Sequence, residues 1–210
     1  MRISILTLFP QMFQGPFDYS IVKRAKEKKL VEISFTDIRN FGVGKHKTVD
    51  DKPYGGGVGM ILRVDVLQKA LDQTLNKKLT KKEQKVILLS ASGKTYDQKR
   101  AKKFSKLKHL IVICGHYEGV DERILKFVDE EISIGNFVLT GGEIPAMIVT
   151  DSITRLIKGV LKDDATRLES FSGEEKLLEH PQYTRPRKFG KLKVPEILLS
   201  GNHEKINDWK

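Results

Sequence analysis

Apolar positions in residues 1–161 alternate between two spacings. Uninterrupted short apolar runs are typical of buried strands, whereas apolar residues three or four positions apart are typical of amphipathic helices. The runs that predict strands are RISILTLF, VEISFTDI, KVILLS, HLIVICG and EISIGNFVL. The segments that predict helices are DYSIVKRAKEKKL, VDVLQKALDQTL, YDQKRAKKFSKL, VDERILKFV and PAMIVTDSITRLIKGVL, which has Pro145 in its first turn. This alternation predicts an α/β domain with a mostly parallel sheet.

The pattern changes after Leu161. Residues 162–175 are polar and weakly patterned, which indicates a flexible linker. Residues 176–210 are basic and marked by prolines, and their one clear helical pattern lies at the very end. The sequence therefore predicts a main domain at 1–161, a linker at 162–175 and a small, mainly helical domain at 176–210.

The chain is strongly basic, with 38 Lys and Arg against 27 Asp and Glu, a net charge of +11. Lysines are concentrated in residues 77–85 and 99–108, where a solvated helix surface is a sufficient explanation for them. For the whole protein the charge favours an acidic partner. Nucleic acid is preferred over a membrane, because no strongly apolar helix face accompanies the charge and no apolar run reaches membrane-spanning length.

Cys114 is the only cysteine, which excludes internal disulfides and cysteine-rich zinc clusters. A single cysteine fits a reducing, cytoplasmic environment. Because Cys114 closes an apolar strand, it is interpreted as a core residue rather than a nucleophile. The sequence shows no metal site, and a requirement for Mg²⁺ has no support in it and stays open.

Three predicted strand ends carry glycine, at residues 90–93, 115–119 and 135–142. Carboxyl ends of parallel strands meet at one edge of a sheet, where ligands commonly bind. The segment SASGKT ends like a phosphate loop, but Leu88 stands where that motif needs its first glycine. A cleft lined by backbone with little cationic chemistry suits a flat, hydrogen-bonding ligand such as adenosine better than a triphosphate.

Four motifs follow one another in the order DDKPYGGGVGM, CGHYEGVDER, SIGNFVLTGGEIPAM and HPQYTRP. In this order they resemble the bacterial tRNA (guanine-N1)-methyltransferases, which modify the guanosine at tRNA position 37. The resemblance implies a SPOUT-class α/β fold with a deep trefoil knot, a cytoplasmic homodimer, tRNA as the partner and S-adenosylmethionine bound in the knot. Knots are rare, and hydrophobic periodicity cannot reveal one.

The resemblance also implies roles for individual residues. Glu169 is expected to act as the general base for guanine N1, and Arg155 to lie near guanine O6. The residues expected to bind the cofactor are Leu89, Ser90, Gly115, Tyr117, Glu118, Ile134, Gly135, Leu139, Thr140, Gly141, Gly142 and Pro145. A side chain at Gly141 is expected to fill space that the cofactor needs.

Two departures from the family and two alternatives accompany this interpretation. The family usually has Asp where this chain has Glu169, and it usually continues past the position of Lys210, so a reduced tRNA-binding C-terminal domain is expected. One alternative is a SPOUT-fold methyltransferase for another RNA site. The other is a non-catalytic RNA-binding protein, which would bind tRNA without methyl transfer.

Overall fold

The structure is a computed structural model that describes residues 1–162, 165–166, 169–173 and 178–210. By its internal contacts the chain divides into two compact units, Met1–Lys162 and Asp163–Lys210. Each unit is described by itself. In the described residues no helix is long and apolar enough to cross a membrane.

The first unit has the α/β architecture that the apolar pattern predicts. Its strands are β1 (Arg2–Thr7), β2 (Glu32–Asp37), β3 (Asp50–Asp51), β4 (Ile61–Leu62), β5 (Gln84–Thr95), β6 (His109–Cys114) and β7 (Glu130–Ser133). Its α-helices are α1 (Ser20–Glu27), α2 (Val64–Thr74), α3 (Gln98–Phe104) and α4 (Glu143–Thr154). Five strands form one parallel sheet in the order β2-β1-β6-β5-β7, and β3 pairs with β4 in a short antiparallel ladder.

The uninterrupted apolar run of β6 is buried on both faces of the sheet. Leu110, Val112 and Cys114 pack into one core cluster, with residues of α1, α3 and α4. Ile111 and Ile113 pack into the other cluster, with residues of α2. Successive side chains of a strand point to opposite faces, so an apolar run without alternation indicates helices on both sides.

Several predicted elements differ from the structure in length or type. KVILLS is only the first part of β5, and VDERILKFV forms a 3₁₀ helix, Glu122–Phe127. In EISIGNFVL the strand ends at Ser133. Two residues later Gly135 has a φ of +153°, a value that residues other than glycine rarely adopt. The helix predicted to reach Leu161 ends at Thr154, because the following turns form tighter i→i+3 hydrogen bonds.

The described part of the second unit contains a hairpin of β8 (Lys188–Phe189) and β9 (Leu192–Lys193) and a 3₁₀ helix at Glu196–Leu199. Its one α-helix in that part, α5 (His203–Trp209), is the helix expected at the end of the chain. Trp209 packs on His180 and Tyr183 of the HPQYTRP motif, with ring centroids 5.9 and 6.2 Å apart. Of the predicted linker and C-terminal domain, residues 163–164, 167–168 and 174–177 lie outside the described residues.

Candidate active site

A cavity of about 230 Å³, called the cleft from here on, is lined by residues 88–92 in the middle of β5, by the segment after β6, and by the end of β7 with the loop that follows it. All of the predicted cofactor residues lie in its lining: Leu89, Ser90, Gly115, Tyr117, Glu118, Ile134, Gly135, Leu139, Thr140, Gly141, Gly142 and Pro145. Two other cavities, of about 440 and 370 Å³, are larger but contain no predicted site residue. The structure therefore brings the three glycine-bearing segments together at one sheet edge.

The first wall of the cleft comes from an irregularity in β5. Leu89 and Lys94 both pair with Ile132 of β7, so the four residues between them, 90–93, leave the ladder and rejoin it at the same place. A Cβ on Gly93 would lie 2.4 Å from the backbone nitrogen of Ile132. Glycine is required there because backbone packs directly on backbone, and the expected simple turn at the strand end is instead an excursion within one strand.

The second wall is the loop at residues 134–142, which returns to the end of β6. The Gly142 N–H donates to the Gly115 carbonyl at 2.7 Å, and Gly141 forms a bridge with His116. A Cβ on Gly142 would lie 2.7 Å from the Cα of Cys114. The glycine that precedes α4 is therefore needed for a close backbone contact with β6.

Gly141 contacts protein side chains closely and also lies in the cleft lining. A Cβ at this position would lie 2.5 Å from Glu143 Oε2 and 2.6 Å from His116 Nδ1. A side chain at 141 would therefore displace these two protein side chains, and its expected effect on the cofactor stays a prediction. Because glycine has no side chain, position 141 leaves room for Glu143 and His116 as well as for the cleft.

The third wall follows β6 and is closed by the glycine-rich loop. Tyr117 has a φ of +59°, a conformation that few residues other than glycine adopt, and its side chain is exposed. The Glu118 N–H donates to the Met60 carbonyl at 3.1 Å, and a Cβ on Gly59 would lie 2.4 Å from Glu118 Cγ. The motif DDKPYGGGVGM thus packs against the cleft through Glu118.

The cleft carries little formal charge. No Lys or Arg is among its described lining residues; Glu118 is the one carboxylate there and His116 the one imidazole. Triphosphates require several cationic groups or a phosphate loop, which this lining lacks. Backbone amides, hydroxyls and a carboxylate fit a nucleoside that carries a positive charge, and S-adenosylmethionine with its sulfonium is such a ligand.

Cys114 lies behind the cleft in the core. Its side chain is 1% exposed, and burial raises the pKa of the thiol well above its ordinary value, with a further contribution from the nearby Glu143 carboxylate. The nucleophilic form of cysteine is the thiolate, so this thiol is unsuited to covalent catalysis.

The two residues expected to act on guanine lie in different units. Arg155 directly follows α4, and its N–H donates to the Asp151 carbonyl at 3.1 Å. Glu169 starts a short turn in which its carbonyl accepts from the Ser172 N–H at 3.0 Å, and Phe171 has a φ of +63°. No group of three or more metal-ligating side chains occurs within the described ranges.

The sequence did not point to Thr7, His116 and Glu143 as a group. Glu143 is 1% exposed and its carboxylate accepts a hydrogen bond from Thr7, which lies 136 residues earlier. The signal available was a carboxylate directly after two glycines, followed by six apolar residues, 144–149. Its partners are far apart along the chain, so spacing could not identify them.

The model of the family described as tRNA (Guanine-1)-methyltransferase TrmD matches residues 1–210. A relative from Dictyoglomus turgidum is 54% identical, over 100% of this chain and 83% of its own length. Relatives from Carboxydothermus hydrogenoformans and Bacillus pumilus are 51% and 50% identical, over 100% of this chain and 81% and 85% of their own lengths. Each carries the name tRNA (guanine-N(1)-)-methyltransferase. With its cleft and its motifs, this chain belongs to the tRNA (guanine-N1)-methyltransferase TrmD family.

Proposed function

We propose that this chain transfers a methyl group from S-adenosylmethionine to N1 of the guanine at position 37 of tRNA, in the cytoplasm. The observation that carries the proposal is the cleft, which gathers every residue assigned to the cofactor from three separate segments. Family membership over residues 1–210 gives the reaction type.

The knot expected of a SPOUT fold is part of the proposal. Its support lies in the backbone contacts at the cleft, where Gly93 packs on β7 and Gly142 packs on the end of β6. Glycine at these two positions lets backbone segments lie closer together than side chains would allow, as a tightly packed knot requires.

The cleft residues bind the cofactor through backbone groups of Gly115, Thr140 and Gly141 and through the side chain of Glu118. When bound, S-adenosylmethionine supplies an electrophilic methyl group on a positively charged sulfur. The low cationic content of the lining avoids repulsion of that charge.

Guanine N1 holds a proton at neutral pH, so its lone pair has to be freed before it attacks a methyl group. We assign this step to Glu169, whose carboxylate accepts the N1 proton and accounts for roughly 10²–10⁴ in rate. Arg155 then stabilises the negative charge that moves to O6. Glu169 is one methylene longer than the Asp usual in the family, which places the carboxylate farther from the backbone.

The net charge of +11 supports tRNA as the partner. Lysine and arginine that neutralise phosphates release counterions, so affinity for RNA falls steeply with salt. A methyltransferase for another RNA site would share the fold and the cofactor. It would differ from the enzyme proposed here in its RNA substrate or in the nucleotide that it methylates.

A homodimer is proposed from an apolar surface on α4. Ile144 and Ile148 lie one turn apart and are 47% and 45% exposed, while Ala146, Val149 and Ile153 of the same helix are buried. Asp151 follows on the same exposed face, and the two isoleucines before it form an apolar patch that a partner surface can cover. We propose that a second copy of the chain covers this surface, because a dimer also allows the cleft of one subunit and Glu169 of the other to form one active site.

Sedimentation velocity tests the dimer. The wild-type chain is expected to sediment as a dimer at micromolar concentration, and the double variant Ile144→Asp, Ile148→Asp as a monomer. Phe127→Asp, at a site 43% exposed in the same unit, is the matched control and should stay dimeric. A wild-type monomer would overturn the shared-site proposal, as would a double variant that remains dimeric.

Labelled S-adenosylmethionine and tRNA transcripts that differ only at position 37 test the function. Label is expected on N1 of guanosine 37 alone, and Glu169→Gln should lower the single-turnover rate at least 10²-fold without weakening cofactor binding. Glu179→Gln, a carboxylate of the same unit bound to Gln182, is the control with wild-type rate. Label at another nucleotide would favour the alternative RNA site; binding without label would favour the non-catalytic alternative.

A further inference from the structure

A buried carboxylate lies directly behind the Gly141 wall of the cleft. Glu143, the first residue of α4, is 1% exposed, and its Oε1 accepts a hydrogen bond from Thr7 Oγ1 at 2.7 Å. The Thr7 hydroxyl oxygen accepts in turn from the Phe9 N–H at 2.9 Å. Because the hydroxyl has one hydrogen, that hydrogen is directed at Glu143 and fixes the carboxylate in place.

The second oxygen of this carboxylate faces His116. Glu143 Oε2 lies 3.7 Å from His116 Nδ1, which is beyond hydrogen-bond distance. Nδ1 is buried and has no hydrogen-bond partner in the described part of the chain. The ring itself packs on Phe9 and Tyr117, with centroids 4.9 and 4.8 Å apart, and lines the cleft.

Nδ1 therefore lacks a partner that the Glu143 carboxylate can supply. A buried polar group without a partner is destabilising, and a buried carboxylate is stabilised by more than one donor. The start of α4 adds favourable backbone dipoles to Glu143, and His116 Nδ1 faces its Oε2 at 3.7 Å. A small rotation of the ring that closes this gap by roughly 0.7 Å would bring Nδ1 within hydrogen-bond distance of Oε2.

We propose that Glu143, held by Thr7, is a positioning residue: it accepts Nδ1–H of His116 and so keeps Nε2 as a hydrogen-bond acceptor for the ligand in the cleft. The ligand group recognised is a donor, an hydroxyl or an amino group. The partner of one imidazole nitrogen determines which nitrogen carries the proton. Gly141 is glycine because a Cβ there would intrude between the two side chains.

This inference rests on the proposed function, because it assigns the ligand to the same cleft. Glu143→Gln tests it: the amide keeps its size and its bond to Thr7 but presents N–H₂ to His116. We expect the dissociation constant for S-adenosylhomocysteine, measured by calorimetry, to rise at least tenfold, and KM for the methyl donor to rise more than kcat falls. Thr7→Val should give a smaller change of the same kind, and Thr7→Ser, which keeps the donor, should restore binding.

Thr150→Val is the matched control. Thr150 Oγ1 is a second buried hydroxyl on the same unit, within α4, and has no hydrogen-bond partner among the described residues. Its replacement should leave ligand binding unchanged. Wild-type affinity in both Glu143→Gln and Thr7→Val would overturn the proposal. If Glu143→Gln does not fold, the comparison of Thr7→Val with Thr7→Ser still tests it.

Long-range ¹⁵N–¹H spectra of the imidazole rings give a readout that needs no ligand. The spectrum of the His116→Gln variant lacks one imidazole signal, and this identifies the signal of His116. In the wild type that signal should show Nδ1 protonated and Nε2 as the acceptor. Glu143→Gln should abolish that preference. A wild-type ring protonated at Nε2 alone would overturn the inference, whereas a wild-type chain that binds no S-adenosylhomocysteine would instead refute the proposed function.

Discussion

Strand β6 has a histidine at its first residue and another just past its end, and the two are satisfied very differently. His109 is 1% exposed, with Nδ1 2.7 Å from Gln84 Oε1 and Nε2 2.9 Å from Ser4 Oγ. Gln84 Oε1 also accepts from the Asn76 N–H, so His109 Nδ1 is the donor and Nε2 the acceptor. His116 has no such pair of partners.

The contrast separates two uses of a buried polar group. At the amino end of β6 both ring nitrogens have a partner, so the histidine links β6 to β5 and β1 and belongs to the framework. At the carboxyl end one nitrogen faces a carboxylate at 3.7 Å and the ring borders a cavity. The histidine at the cavity wall is therefore the one with a ring nitrogen that lacks a hydrogen-bond partner among the described residues.

The largest effect expected from this contrast is on stability. His109→Ala should lower the free energy of unfolding by about 3 kcal/mol, because it opens a cavity and removes two buried hydrogen bonds. His116→Ala, at a partly exposed ring, should lower it by about 1 kcal/mol or less. Urea denaturation of the two variants measures the difference. Equal losses would show that the ring at the cleft is as structural as the ring inside the sheet.

A smaller effect is expected in the pH dependence of stability. Burial lowers the pKa of His109 to about 4, with the Arg2 guanidinium adding to the shift and Glu32 opposing it. In the unfolded chain His109 binds a proton with a pKa of about 6.5, whereas in the folded chain it binds one only near pH 4. Stability is therefore lost as the pH falls through this window. From pH 7 to pH 5 the loss is about 2 kcal/mol.

His109→Gln removes this titration and should flatten the decline by the same amount, whereas His116→Ala should keep it. Denaturation midpoints at pH 7 and pH 5 check the prediction. A decline in His109→Gln as steep as in the wild type would mean that other groups cause it.

The sequence predicted the layers of the first unit because apolar spacing reports burial directly. Uninterrupted runs such as β6 and the spaced apolar residues of α2 leave little ambiguity. The end of a strand is a different matter, since Phe137, Val138 and Leu139 look like strand residues but lie exposed in the returning loop. What overrides their propensity is the contact of Gly142 with β6, which depends on a segment far away in sequence.

The cleft was predictable for a related reason. Glycine marks places where backbone meets backbone, and family motifs named the same positions. Thr7 and Glu143 were not predictable as a pair, because a hydroxyl at a strand end and a carboxylate at a helix start are common, and only the fold brings them to 2.7 Å. Roles assigned to Glu169 and Arg155 stay predictions that rest on the family.

Residues 90–93 of β5 lie outside the β5–β7 ladder, so their number does not set the register between the two strands. Leu89 and Lys94 share Ile132 as partner, so β7 advances by no residue while β5 advances across residues 90–93. A change in the length of residues 90–92 would therefore alter the rim of the cleft, while Gly93 has to remain where its backbone packs on Ile132.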